Sequence, residues 1–419
     1  MTPKPTPRQY DEWTHQFPWG ENSATICSYC GELGTLAYVQ PVHPYWVEQV
    51  EEYKLPNGSP FIGTAGHVYP ALTIADTYRR TFDNVDVCFI GTPEGCEARL
   101  VPAHGYRFTM VQGSPWFGVG VGGRLQATRA LVVGIAQARH LLRAQGTQLV
   151  IGLGGYASVG VLLAARSLGL RTAVHEANIV PGLANKLLGR LADRVYLGFK
   201  AAAWAFPPDR TLVTGNPVRP EIVALGDAKR RATHSVRQLV RILVLGGSQG
   251  APFLNQHVPD LLRQVAGYDL TLEVRHQVGD DDPEPVRAQY ARAQITASVM
   301  PYIEDMADTY RWADFAIVRS GSGTIAELAA CGLPALLVPL PTAAGDHQTV
   351  NAIAFAEAGA GWWLREADWQ GQAQAARLAA LLSDASALAG MAARARRLAT
   401  PEAASVLVND CEALMAGQW

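Results

Sequence analysis

Residues 243–257 read LVLGGSQGAPFLNQH: an apolar run, a turn of glycine and small polar residues, then a segment with the apolar spacing of a helix. Glycine lets such a turn be tight and lets a ligand approach the free amides at the helix start. The same design recurs near the head of the chain, where residues 61–75 read FIGTAGHVYPALTIA. Short apolar runs alternate with helical patterns along the rest: VDVCFIG at 85–91, LVIGLGG at 149–155, TAVHEAN at 172–178, LEVRHQVG at 272–279, FAIVRSGSG at 315–323 and ALLVPLP at 335–341. That alternation predicts an α/β chain of parallel sheets covered by helices. Two Rossmann-like, doubly wound domains result. Ligands of such sheets sit beyond the carboxyl ends of the strands, so the two glycine turns face each other across one cleft.

Length agrees, because 419 residues exceed what one hydrophobic core usually serves. The stretch PEIVALGDAKRRATHSVRQ at 220–238 interrupts the strand pattern and is richer in charge than its flanks. It divides an N-terminal domain, 61–222, from a C-terminal domain, 223–419, with residues 1–60 as a divergent extension. A formal net charge of -2 without a long Lys/Arg run argues against nucleic acid as a partner. Cysteines at 27, 30, 88, 96, 331 and 411 form no dense framework, and MTPKPTPRQYDEW at the start lacks the apolar core of a signal peptide; both point to a reduced, cytoplasmic protein. Apolar stretches such as VGVLLAA at 159–165 fall far short of the roughly 20 residues that span a bilayer. Membrane contact is expected to be peripheral.

The turns themselves suggest a ligand. GGSQGA at 246–251 and RSGSGTIAEL at 319–328 each bring small residues and hydroxyls to a helix start, where amides and the helix dipole favour an anion. A diphosphate suits both. Neither turn is a Walker loop and neither has the full dinucleotide spacing, which disfavours ATP hydrolysis and hydride transfer. Glu327, one helical turn beyond Gly323, either accepts hydrogen bonds from ribose hydroxyls or simply complements the helix dipole. His67, at the close of the first turn, either faces the same ligand or caps and packs. GDDDPEP at 279–285 holds Asp280, Asp281 and Asp282, but its prolines make it a solvated loop before a helix rather than a metal site. No metal and no cofactor are expected.

Eight stretches, in order, carry a resemblance: GTAGHVYPAL, GGYASVG, HEANIVPGLANK, GNPVR, LVLGGSQGAPFLN, YIEDM, RSGSGTIAELAACGLPALLVPLP and DHQTVNA. Together they resemble the MurG family over residues 61 to about 410. The resemblance implies the GT-B fold, two Rossmann-like domains across a cleft. It also implies transfer of GlcNAc from UDP-GlcNAc to the 4-hydroxyl of MurNAc in lipid I, giving lipid II of peptidoglycan. By position, it places Thr64, Ala65, Gly66 and Asn178 on the donor from the N-terminal side, with Arg219 and Ser248 as further donor contacts. The backbone of Ile303 matches the reader of uracil. Ser322, Gly323, Thr324, Ile325, Ala326 and Glu327 match the helix start that holds phosphate and ribose, and Gln348 matches a contact to the GlcNAc ring. His67 matches the candidate base. Other readings stay open: a related transferase of secondary metabolism, a sugar-nucleotide binder without catalysis and, more remotely, an epimerase of the same architecture.

The head of the chain departs from the family pattern, for only SPFIG stands before Thr64 where a full strand is usual. About 60 preceding residues, with Trp13, Trp19 and Trp46, either supply the missing strand from TLAYVQP or form a poorly packed extension. Cys27 and Cys30, with His15 and His43 at a distance, read as plain thiols rather than a zinc site. GSPWFGVGVGGRL at 113–125 sets Trp116, Phe117, Val119 and Val121 ahead of a helix bearing Arg124, Arg129, Arg139 and Arg143. Apolar residues flanked by cations suit the inner membrane surface and its lipid-linked acceptor.

Overall fold

The computed structural model describes residues 36–41, 65–83, 85–92, 97–113, 121–154, 156–227, 239–247 and 250–417. The N-terminal sheet has seven strands: β1 (Leu36–Pro41), β2 (Val85–Gly91), β3 (Arg107–Met110), β4 (Leu149–Gly152), β5 (Arg171–Glu176), β6 (Arg194–Leu197) and β7 (Thr211–Val213). Its helices are α1 (Ala65–Thr81), α2 (Glu97–Ala103), α3 (Val121–Ala144), α4 (Tyr156–Ser167) and α5 (Leu183–Leu188). The order β3-β2-β1-β4-β5-β6-β7 is doubly wound, starting at the centre and moving out to each side. Successive strand residues serve opposite faces. Val87 and Phe89 join one core with Val68, Leu72 and Ala75 of α1, while Cys88 and Ile90 join the other with Ala138 of α3 and Val161 and Ala165 of α4.

Every strand pair of this sheet is parallel except those of β1, which runs antiparallel to β2 and β4 with Ala37 opposite both Phe89 and Ile151. TLAYVQP therefore does supply a central strand, and the expectation of a purely parallel sheet is amended at that one place.

The C-terminal sheet repeats the winding with all pairs parallel. Its strands are β8 (Leu239–Leu245), β9 (Thr271–Gln277), β10 (Thr296–Met300), β11 (Phe315–Val318), β12 (Ala335–Leu337) and β13 (Gly361–Trp363), in the order β10-β9-β8-β11-β12-β13. With it go α6 (Pro220–Asp227), α7 (Pro252–Ala266), α8 (Pro283–Arg292), α9 (Met306–Trp312), α10 (Ser322–Cys331), α11 (His347–Glu357), α12 (Gln372–Leu382) and α13 (Ala385–Arg397). The β8-to-α7 turn shows why glycine is needed there. Gly250 has φ +79° and a Cβ would stand 2.0 Å from the Val278 carbonyl oxygen, a position closed to any other side chain. Pro252 opens α7, which buries Leu254, Val258, Leu261, Leu262 and Val265 along one stripe.

The last helix, α14 (Ala403–Met415), returns to the N-terminal sheet. Leu407, Val408, Cys411 and Leu414 share the core of α1, and Asp410 accepts from Arg194 Nε at 3.0 Å and the Tyr196 hydroxyl at 2.9 Å. The chain thus crosses between the domains after β7 and again before α14. The crossings touch at Gly215, where φ is +86° and a Cβ would meet Thr400 Oγ1 at 1.9 Å.

Candidate functional site

The cleft is best built from α1 outward. Ala65, Gly66 and His67 are the first three residues of α1, so the glycine turn does run into a helix start; Thr64, Ser248 and the His67 side chain lie outside the described residues. The helix packs against α10 of the other domain. Two residues beyond His67, the Tyr69 hydroxyl lies 2.5 Å from that of Tyr302, and the guanidinium of Arg219 stands 4.3 Å over the Tyr69 ring. Arg219 donates to Glu327 Oε1 from Nη2 at 2.8 Å and from Nε at 3.3 Å, and the Tyr310 hydroxyl donates to Oε2 at 2.9 Å. Two residues expected on the donor, Arg219 and Glu327, are therefore held by each other. Burial disfavours the charge on Arg219, but the Glu327 carboxylate outweighs it and keeps the guanidinium protonated. Burial, then the hydroxyl of Tyr302, pushes the Tyr69 phenol up.

A second constellation forms where β5 ends. Glu176 is buried and its carboxylate collects the Asn178 amide at 2.8 Å, the Gly182 amide at 3.0 Å and Asn185 Nδ2 at 2.9 Å. Burial raises its pKa and these donors pull the other way. The result is a rigid turn that carries Asn178 into the cleft. Asn178 Oδ1 accepts from Asn351 Nδ2 of α11 at 3.2 Å, and the same nitrogen reaches the Ser320 carbonyl at 3.3 Å. Gln348, one turn earlier on α11, accepts at Oε1 from the amides of Ser320 at 3.3 Å and Leu340 at 3.0 Å.

Between these constellations lies the start of α10. Gly321 sits at the cap with no side-chain hydrogen bond to the first turn, so the amides of Ser322, Gly323 and Thr324 are available to an anion. Ile325 and Ala326 follow, and Glu327 closes the turn. Ile303 lies on the segment after β10. Its N–H is engaged by Gln277 Oε1 at 3.2 Å, while Gln277 Nε2 donates to the Gly247 carbonyl at 2.9 Å. Gln277 thus ties the β8-to-α7 turn to the segment of Ile303.

The acidic loop serves the fold. Asp282 caps α8 by accepting from the Glu284 amide at 3.0 Å, and Asp281 accepts from Asn255 Nδ2 at 2.7 Å. Asn255 Oδ1 in turn meets His276 Nε2 at 3.0 Å, and His276 Nδ1 meets the Tyr290 hydroxyl at 2.9 Å. Because Asn255 Nδ2 also donates to the Val278 carbonyl, its oxygen must face the ring, which makes Nε2 the protonated nitrogen. Burial pushes the His276 pKa down to about 3. The unfolded chain binds a proton here below about pH 6.5 and the folded chain does not, so stability is full above that pH and is lost as pH falls toward 3, by about 1.4 kcal/mol per unit. Urea midpoints from pH 7.5 to 4.5 should therefore fall less steeply in His276→Gln than in the parent. Equal slopes would remove His276 as the cause.

Trp116, Phe117 and Val119, and the Cys27 and Cys30 pair, lie outside the described residues, as do the side chains of Val121 and Arg124 at the start of α3. Arg139 of α3 donates to the Ser167 carbonyl at 2.8 Å and remains exposed. Among the described residues no helix is long and apolar enough to cross a membrane. Tyr69, Glu176, Gln277, Tyr302 and Asn351 were not singled out from sequence, although GTAGHVYPAL, HEAN, LEVRHQVG, YIEDM and DHQTVNA contain them. Their roles depend on partners far away in the chain.

Known proteins share this arrangement. Residues 61–197 match the glycosyltransferase family 28 N-terminal domain and residues 241–407 the family 28 C-terminal domain. A relative from Aeromonas hydrophila, named UDP-N-acetylglucosamine--N-acetylmuramyl-(pentapeptide) pyrophosphoryl-undecaprenol N-acetylglucosamine transferase, is 40% identical over 356 residues, 85% of this chain and 96% of that protein. One of the same name from Alcanivorax borkumensis is 41% identical over 85% of this chain and 97% of its own length. The crystal structure of Acinetobacter baumannii MurG superposes with a TM-score of 0.67 at 31% identity, covering 84% of this chain and 97% of that one. With both family 28 domains in place around the cleft, the chain belongs to the MurG family of N-acetylglucosamine transferases, glycosyltransferases of peptidoglycan synthesis.

Proposed function

We propose that this chain moves GlcNAc from UDP-GlcNAc to the 4-hydroxyl of MurNAc in lipid I by inverting, metal-independent single displacement. The observation that carries this is the pairing of Arg219 with Glu327 beside the uncapped start of α10. A cation and a set of free amides there suit the diphosphate, and a carboxylate one turn on suits the ribose. The C-terminal sheet and its helices would hold the donor and the N-terminal sheet with its helices the acceptor, with α14 fastening the two. As the bond to the leaving diphosphate breaks, the sugar gains oxocarbenium character and the β-phosphate oxygen gains charge. Ser248, Thr324 and Arg219 receive that charge, Ile303 holds the base, Gln348 and Asn178 hold the sugar, and Thr64, Ala65 and Gly66 close over it. His67 takes the acceptor proton, so the α-linked donor gives a β-linked product.

The test is transfer of radiolabelled UDP-GlcNAc to synthetic lipid I beside unrelated acceptors, with and without EDTA. Lipid II formed equally in both is the expected result. Loss in EDTA restored by Mn²⁺ overturns the metal-independent step, and preference for a soluble acceptor favours the secondary-metabolism transferase instead. Lipid-linked substrate also implies contact with the inner membrane surface through residues 113–125. Binding to anionic vesicles should fall when Trp116 and Phe117 are both changed to Ser, with UDP binding kept; no vesicle binding by the parent sinks that contact.

A further inference from the structure

We propose that Asn351 is a positioning residue that pins the sugar-facing turn of the N-terminal domain to the phosphate-side loop of the C-terminal domain and dictates which way the Asn178 amide points. It rests on the placement of Asn178 at the donor given above. Asn351 is fully buried and its side chain spans the cleft floor. Oδ1 accepts from the Ile179 amide at 3.3 Å; Nδ2 donates to the Ser320 carbonyl at 3.3 Å and to Asn178 Oδ1 at 3.2 Å. Amide ends are commonly interchangeable, but not here. A backbone N–H only donates and a backbone carbonyl only accepts, so Ile179 and Ser320 allow Asn351 a single orientation. That orientation offers Asn178 a donor and nothing else.

The oxygen of Asn178 must therefore face Asn351. Its nitrogen is left toward Glu176 Oε1, 3.3 Å away, and Glu176 is fixed in turn by Gly182 and Asn185. On the other side, Ser320 is bonded through its amide and hydroxyl to Gln348. One hydrogen-bond chain thus runs from Glu176 through Asn178, Asn351 and Ser320 to Gln348, joining the two groups proposed to hold the sugar. A group in its middle sets the distance between them and the polarity that Asn178 presents to a hydroxyl.

Asn351→Asp replaces the donor by an acceptor, which repels both Asn178 Oδ1 and the Ser320 carbonyl and favours a flipped Asn178. Transfer needs both sides of the cleft, whereas the groups proposed to hold UDP, Arg219, Ser248, Ile303, Thr324 and Glu327, include neither Asn178 nor Asn351. We expect kcat/KM for UDP-GlcNAc to fall by at least about ten-fold, as for loss of a charged or buried hydrogen bond, while the Kd of UDP stays within about two-fold. Asn351→Ser, smaller and uncharged, repeats the test should a buried carboxylate unfold the chain. In a cycle with Asn178→Ala, the second change should cost little beyond the first, since both act through one amide. UDP affinity falling in step with transfer, parental transfer in both Asn351 variants, or fully multiplicative effects in the cycle would each overturn the proposal. Parental activity in Asn178→Ala alone is a separate outcome: it removes Asn178 from the donor and the proposal with it.

Discussion

Replacing Glu327 by Ala is expected to raise KM for UDP-GlcNAc by about 10- to 150-fold, the equivalent of roughly 1.5 to 3 kcal/mol for a hydrogen bond to a charged group. Two duties are proposed for the carboxylate: bracing Arg219 and holding the ribose. Each oxygen already accepts from a protein donor, Oε1 from Arg219 and Oε2 from Tyr310, yet a carboxylate has lone pairs left for the two ribose hydroxyls. Alanine removes all of this at once. It strands Arg219 among buried groups and so should also cost stability, about 3 kcal/mol, the lower end for a broken buried pair because the two side chains keep 15% and 16% exposure. Glu327→Gln discriminates. It keeps an acceptor for Arg219 and a polar partner for Tyr310 while removing the charge, so thermal stability should recover most of the way as KM stays raised. Parental KM in both variants, with only stability changed, would reduce Glu327 to a brace for Arg219 and leave the ribose without its proposed acceptor.

That double duty shows how far the sequence can be read. In the C-terminal domain β8, β9, β11 and β12 are legible because each is a short β-rich run ending near a glycine or proline turn, whereas the short β10 and β13 are not picked out from sequence. The N-terminal domain is less so. LAYVQP at 36–41 has no feature that says it runs backwards between β2 and β4, since strand direction depends on where the connecting chain goes and not on local periodicity. The helix α14 is similarly silent: its apolar stripe announces that it packs, but not that it packs on the other domain.

The site divides along the same line. Residue types suited to anions at a helix start were visible as Ser322, Gly323 and Thr324, because capping and turn chemistry are local. The groups that hold the cleft together were not. Tyr69 meets Tyr302 across 233 positions of sequence and Asn351 meets Asn178 across 173, and side-chain bonds at that range follow from tertiary geometry alone. Gln277 is the sharpest case. It stands in a strand, where a buried amide looks like a satisfied core residue, and only its two ends, on Gly247 and Ile303, show that it links the β8-to-α7 turn to the segment after β10.

His67→Ala is expected to lower kcat by about two to four orders of magnitude, the usual worth of a positioned general base, with UDP affinity nearly unchanged. The acceptor hydroxyl has to lose its proton as its oxygen bonds to the anomeric carbon, and an imidazole, with an ordinary pKa of about 6.5, is suited to accept it near neutral pH. Position supports the assignment. His67 stands in the first turn of α1, two residues before Tyr69, whose contacts with Tyr302 and Arg219 fasten that helix to the donor side. Packing with α10 holds α1 against the C-terminal domain. Affinity and turnover should therefore part company: the groups proposed to hold UDP, Arg219 with those of the C-terminal domain, are left in place by the substitution, and only the transfer step should feel the loss. His67→Asn then decides between a base and a mere ligand or cap. Asparagine keeps a hydrogen-bonding side chain of similar reach but takes no proton near neutral pH, so a catalytic histidine makes the Asn variant about as slow as Ala. Near-parental kcat in His67→Asn would mean that the ring only positions the acceptor or caps α1, and the proton would have to leave through another group of the N-terminal domain.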